Sequence, residues 1–174
     1  RLVAGLPGAP GPPRAKPLLA PRRRRGGLGP PRGERAGARR VAADELGAPL
    51  DDLAALADVV HPNRDVGASI ASGSFRTLGM VVVPCSATTL SKVAYGVCDN
   101  LLTRAAYVHL KERRPLVLVP REAPLPLPTL EAMVKAAQAG AAVLPASPGF
   151  YTRPKTIDHP LGFVSQRRLD LLGI

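Results

Sequence analysis

From residue 79 onward, continuous apolar runs alternate with helical patterns. Gly79-Met80-Val81-Val82-Val83-Pro84 is an unbroken apolar run, the mark of a strand buried on both faces. Ser86, Thr88 and Thr89 then supply hydroxyls where a helix should begin. Over residues 100–112 the apolar positions recur at helical spacing. Leu101, Ala105 and Val108 share one face, Leu102 and Ala106 lie beside them, and Asp99 is the expected N-cap. Arg113 and Arg114 close this helix, cations that suit its C-terminal end. Pro115 opens a second strand, Leu116-Val117-Leu118-Val119. A third helix is expected from a Thr129 cap to Ala139, with Gly140 ending it. Residues 141–144 read as a short strand and 160–172 as a last helix. This alternation predicts an α/β domain with a parallel sheet.

The first 50 residues pattern differently. Residues 1–5 suit a strand, followed by a Gly-rich turn, Gly5-Leu6-Pro7-Gly8-Ala9-Pro10-Gly11. A helix should come next, yet Pro17 and Pro21 would lie in its interior, each at a cost of about 3 kcal/mol. By local physics residues 12–40 read as a basic, disordered arm. Charge sharpens the contrast. The formal net charge is +11. Residues 1–50 hold 11 basic and 3 acidic side chains, residues 51–174 hold 13 and 10, so the excess sits at one end. A nucleic-acid partner would use that arm, but no nucleic-acid motif accompanies it and it has no aromatic residue for stacking. No nucleic-acid role is therefore expected.

Other classes are set aside in the same way. No run is long enough for a transmembrane helix, and no signal-peptide pattern follows Arg1. Cys85 and Cys98 sit among apolar residues and read as reduced thiols of a cytoplasmic protein. His61, His109 and His159 make no metal-ligand spacing with each other or with the cysteines, so no metal is expected.

Open parallel sheets bind ligands beyond the carboxyl ends of their strands. After the first long strand come Ser86, Ala87, Thr88 and Thr89; after the second come Arg121 and Glu122; after the third come Phe150, Tyr151 and Arg153. Arg104 and Lys111 are seven residues apart, nearly two helical turns, and so share a face. Taken singly, each has an ordinary explanation: a solvated helix face, a cap, a surface ion pair, a loop anchor. Together, at one sheet edge, they suit phosphate groups.

Several longer stretches carry a family pattern. They are Ala71-Ser72-Gly73-Ser74-Phe75 with Gly79-Met80-Val81-Val82-Val83-Pro84-Cys85-Ser86; Asp99-Asn100-Leu101-Leu102-Thr103-Arg104-Ala105-Ala106; and Lys111-Glu112-Arg113-Arg114. Val119-Pro120-Arg121-Glu122-Ala123-Pro124-Leu125, Pro148-Gly149-Phe150-Tyr151 and Leu169-Asp170-Leu171-Leu172-Gly173-Ile174 extend it. From about residue 51 to 174 the chain resembles the flavin prenyltransferase (UbiX-like) family. The resemblance implies a single domain over residues 1–174, a Rossmann-like, flavodoxin-type three-layer sandwich with a parallel sheet. It implies FMN as bound flavin and prenyl acceptor, dimethylallyl phosphate as co-substrate, and no metal. The product, prenylated FMN, would pass to a UbiD-type decarboxylase. A homo-oligomer, a dodecamer with sites at subunit interfaces, is implied as well.

By motif position, Gly8, Ala9, Pro10, Ser86, Ala87, Thr88, Thr89 and Arg104 would hold FMN. Ser72, Lys111, Arg121, Glu122, Tyr151 and Arg167 would hold the dimethylallyl phosphate, the last two from a neighbouring subunit. Lys111 and Arg121 would stabilise the departing phosphate and Glu122 would protonate it. The family's opening turn has the form Gly-x-Thr-Gly-Ala-Ser-Gly; here Pro7 and Pro10 replace the Thr and the Ser. Asp44 or Glu45 matches the family's acidic residue near the flavin. The prolines leave a second reading open, a flavin-binding relative without this activity, either a pseudoenzyme or a flavin-dependent decarboxylase.

Overall fold

The structure, a computed structural model, describes residues 2–5 (as backbone), 57–151, 153, 155–156 and 158–173. The turn residues Gly8, Ala9 and Pro10, the stretch 12–40, and Asp44 and Glu45 lie outside the described residues. The elements in chain order are β1 (Leu2–Gly5), a 3-10 turn (Ser69–Ala71), β2 (Met80–Cys85), α1 (Ala87–Ala94), α2 (Leu101–Lys111), β3 (Leu116–Pro120), α3 (Leu127–Gln138), β4 (Ala142–Val143) and α4 (Asp158–Asp170). No described helix is long and apolar enough to cross a membrane.

The sheet order is β1-β2-β3-β4. β2, β3 and β4 are parallel, with α1 and α2 bridging the first pair and α3 the second, as parallel pairing requires. β1 pairs antiparallel with β2, Leu2 opposite Val83 and Gly5 opposite Met80. The expected parallel sheet therefore holds for three strands and not for the fourth. An apolar run specifies a strand but not its direction, because side chains alternate identically either way along the chain.

β3 is buried at all five positions, and both α1 and α2 pack on it. β2 buries Met80, Val82 and Cys85, while Val81 and Val83 are half-buried. The expectation of two buried faces is thus met by β3 and only on one face by β2. Met80, Val82, Leu90, Leu101, Leu102, Leu116 and Leu118 form the centre of the core, and full burial of each large aliphatic chain contributes roughly 1.5–3 kcal/mol. Both cysteines are free thiols.

The helix ends follow local chemistry and correct three sequence assignments. Asn100, not Asp99, caps α2: its side chain accepts from Thr103 N–H at 3.0 Å, and the Thr103 hydroxyl accepts from Asn100 N–H at 3.4 Å, a reciprocal capping box. Asp99 is engaged instead by Lys92 and by the Asn100 amide. α3 starts at Leu127, two residues before the expected cap, and Thr129 is buried inside it. Pro128 fits the first turn, where its missing N–H costs nothing. α4 starts at Asp158, two residues before the expected Pro160, which again sits in a first turn. Gly140 (φ +102) ends α3 as expected.

The cap assignment predicts that Asn100→Ala lowers the free energy of unfolding by about 1 kcal/mol. Asp99→Ala, which breaks a surface pair, should cost clearly less. Urea denaturation of both variants ranks them; an equal or reversed ranking refutes the assignment.

Candidate active site

The parallel register places the first two candidate groups side by side. Cys85 pairs with Pro120 at the carboxyl ends of β2 and β3, so Ser86 and Arg121 leave the sheet as neighbours. The chain beyond β4 follows the same edge, Ala146 N–H donating to Pro120 O at 2.9 Å. Ser86 is the N-cap of α1; its hydroxyl accepts from Thr89 N–H at 3.3 Å and lies 3.0 Å from the Thr89 hydroxyl. Ala87 and Thr88 are the first two residues of α1, where backbone N–H groups have no partner within the helix. Thr88 is exposed and Thr89 buried. This start of a helix just past the strand end that pairs with Pro120 suits an anionic or carbonyl-bearing ligand.

A second group forms on α2. The Arg104 Nε–H donates to Ala71 O at 3.3 Å, and its guanidinium lies 6.0 Å from the centre of the Tyr107 ring. Lys111, two turns further along, sits against Gly73. A Cβ on Gly73 would collide with the Glu112 carboxylate and come within 3.2 Å of Lys111 Nζ. The Ser72 hydroxyl lies 2.8 Å from that of Ser74. The structure therefore places Arg104 against Ala71 and Lys111 against Gly73, the two neighbours of Ser72; the shared face of the two cations follows from their seven-residue spacing. Lys111 pairs with Glu112 at 2.7 Å, and that ammonium holds the Glu112 carboxyl below the ordinary carboxylate range.

Arg121 belongs to the first group by its place in the chain, while Glu122, Tyr151 and Arg167 lie on exposed surface. Arg121 and Glu122 are exposed just past β3, and among the described residues no ion pair joins them. Tyr151 is 77% exposed, its ring edge-on to Phe163 at 6.3 Å. Arg167 pairs with Asp170 one turn along α4, at 3.0 Å. Gly8, Ala9 and Pro10 are outside the described residues.

Residues to which the sequence reading gave no part in the site hold the second group in place. Arg114 donates through Nη1 to Phe75 O at 2.6 Å and through Nη2 to Gly73 O. It points that way because α2 ends in a Schellman turn. Arg113 N–H donates to Leu110 O at 3.1 Å and Arg114 N–H to His109 O at 2.8 Å. Arg113 takes the left-handed conformation (φ 53), at a cost of about 1 kcal/mol for a residue with a Cβ. His109 is buried; its Nδ1 bonds Ala105 O and its Nε2 bonds the Thr77 hydroxyl, both at 2.8 Å. At the other end of α2, Asn63 takes up the first amides: Leu102 N–H donates to its side chain at 3.0 Å and Leu101 N–H to its carbonyl at 2.8 Å. The doubled basic pair Arg113-Arg114 was the one sequence signal available for this network.

An α/β sheet with a ligand edge of this kind defines a class before any relative is considered. The Flavoprotein family model matches residues 46–147. The flavin prenyltransferase UbiX of Deinococcus radiodurans is 58% identical over 139 residues, which is 80% of this chain and 71% of that protein. The crystal structure of AnUbiX in complex with FMN and dimethylallyl pyrophosphate superposes with a TM-score of 0.76 at 42% identity, covering 79% of this chain and 73% of that one. That of a dodecameric FMN-dependent Ubix-like decarboxylase from Escherichia coli O157:H7 gives 0.76 at 46% identity, covering 79% and 75%. The chain belongs to the flavin prenyltransferase family. The flavodoxin-like fold follows with it.

Burial, and the nearby Arg114 cation, push the His109 pKa below its ordinary value of 6.5, against its bond to Ala105 O. The unfolded chain therefore takes up a proton here that the folded one resists. Stability is fully present above about pH 6.5 and falls as the pH drops below it, by up to ~1.4 kcal/mol per pH unit for one proton. Urea midpoints at pH 7.5 and 5.5 measure the slope. His109→Asn should flatten it; an unchanged slope would show that His109 is not its source.

Proposed function

We propose that this chain is a flavin prenyltransferase: it transfers the dimethylallyl group of dimethylallyl phosphate to N5 and C6 of reduced FMN. The observation that carries the reading is the placement of Arg104 and Lys111 along one face of α2, against the segment that holds Ser72. This arrangement occurs in a chain whose relative was crystallised with FMN and dimethylallyl pyrophosphate.

When bound, reduced FMN supplies the electron-rich atoms that accept the allyl group. The chain's own residues do the rest. The α1 N-terminus with Ser86, Ala87, Thr88 and Thr89, together with Arg104, orients the flavin. Ser72, Lys111 and Arg121 hold the phosphate, and the two cations offset the charge that grows on it as the allylic C–O bond breaks. Glu122, next to Arg121, delivers a proton to the departing phosphate. Tyr151 and Arg167 face outward on and before α4, and serve the site of a neighbouring subunit. By motif position Gly8, Ala9 and Pro10 contribute to holding the flavin. The whole chain acts as one cytoplasmic flavin-binding domain in a homo-oligomer, a dodecamer like the Escherichia coli relative. Its product goes to a UbiD-type decarboxylase.

Anaerobic incubation with reduced FMN and dimethylallyl phosphate should yield a flavin heavier by one C5H8 unit in mass spectrometry. Lys111→Ala and Arg121→Ala should each lower kcat/KM by roughly 100-fold. Pro10, where the family pattern has Ser, favours a second reading, flavin binding without transfer. Bound FMN with no mass change over many hours would select it.

A further inference from the structure

Ser72 lies in a segment without sheet pairing, yet that segment is anchored at four points along α2. Arg104 takes Ala71 O, Lys111 flanks Gly73, Arg114 takes Gly73 O and Phe75 O, and His109 takes the Thr77 hydroxyl. Of these anchors Arg114 alone grips two carbonyls at once. One lies on either side of Ser74, within three residues of Ser72. Arg114 is half-buried. It follows β3's amino end, since Pro115 comes next and Leu116 opens the strand. Its fork therefore holds the backbone of the segment, while Ser72 and Lys111 are exposed.

We propose that Arg114 is a positioning residue for the phosphate-binding half of the site. It fixes the Ala71–Phe75 backbone so that the Ser72 hydroxyl and the Lys111 ammonium are held at one spacing for the substrate phosphate. The planar guanidinium suits this task because it donates two parallel bonds to two acceptors; a lysine at the same place offers a single ammonium that cannot span both. Arg113 is the internal control. It carries the same charge next door, but it is exposed and only turns the chain so that Arg114 points back.

The proposal rests on the prenyltransferase reading, and its test separates the two. Arg114→Gln, Arg114→Lys and Arg113→Gly are compared with the parent protein. In Arg114→Gln the KM for dimethylallyl phosphate should rise by about tenfold or more, with FMN affinity within about twofold of the parent, because an unfixed segment loses orientation rather than the flavin contacts. Arg114→Lys should recover part of the loss, and Arg113→Gly should keep the parent KM. Amide exchange should quicken over residues 72–77 in Arg114→Gln and stay unchanged over β2. An Arg114→Gln variant with parent KM, or an equal rise in Arg113→Gly, overturns the proposal. If Arg114→Gln does not fold, Arg114→Lys decides: parent-like KM and exchange refute the two-carbonyl grip. If the parent itself does not turn over, the functional reading is what fails. Exchange over 72–77 then decides whether Arg114 fixes the segment.

Discussion

Seven of the eleven residues of α2 are buried, and that burial settles where its exposed edge must run. Leu101, Leu102, Ala105, Ala106 and Val108 commit the helix to the core. The remaining stripe, Arg104 and Lys111 among it, has one direction left in which to face. The segment 71–77 then binds along that stripe by side-chain donors rather than by strand pairing. The cations of the candidate site are thus placed by apolar packing on the far side of the same helix. Their own electrostatics contribute little to holding them, since the Lys111–Glu112 pair is largely exposed.

The sheet does the corresponding work for the other half. β3 is buried on both faces and between parallel neighbours, so its end at Pro120 is a rigid point. Arg121 and Glu122 need only extend from it. The α1 cap at Ser86 is anchored the same way through Cys85, which is buried. Both halves depend on burial behind them for their geometry. This suits a reaction in which the protein contributes position and charge while the flavin contributes reactivity.

What could be read from the residues follows the range of the physics involved. β3 and α2 were legible because period and burial are local properties. The Arg104–Lys111 pair was legible because helical spacing alone puts both on one face. The antiparallel sense of β1 was not, since alternation is blind to direction. Asp99 and Asn100 are both good caps, and the choice between them turned on Lys92, seven residues from Asp99. Arg114 was missed because its reach to Phe75, 39 residues away, depends on a left-handed Arg113 where propensity favours glycine. The same distance separates Asn63 from the α2 amide that it caps.

The pairing of Cys85 with Pro120 has a consequence for how such a chain can vary. β2 takes three residues from Val82 to Cys85 where β3 takes two from Leu118 to Pro120, so one extra residue is already taken up by an irregularity just before the ligand edge. One residue added to the regular stretch, Met80–Val82 against Leu116–Leu118, would slide Ser86 past Arg121 by about 3.3 Å and turn the side chains beyond it to the opposite face. Length changes in that stretch are therefore changes to the candidate ligand edge. The connection from Arg121 to Pro126, between β3 and α3, is free of that constraint, and length variation has its room there.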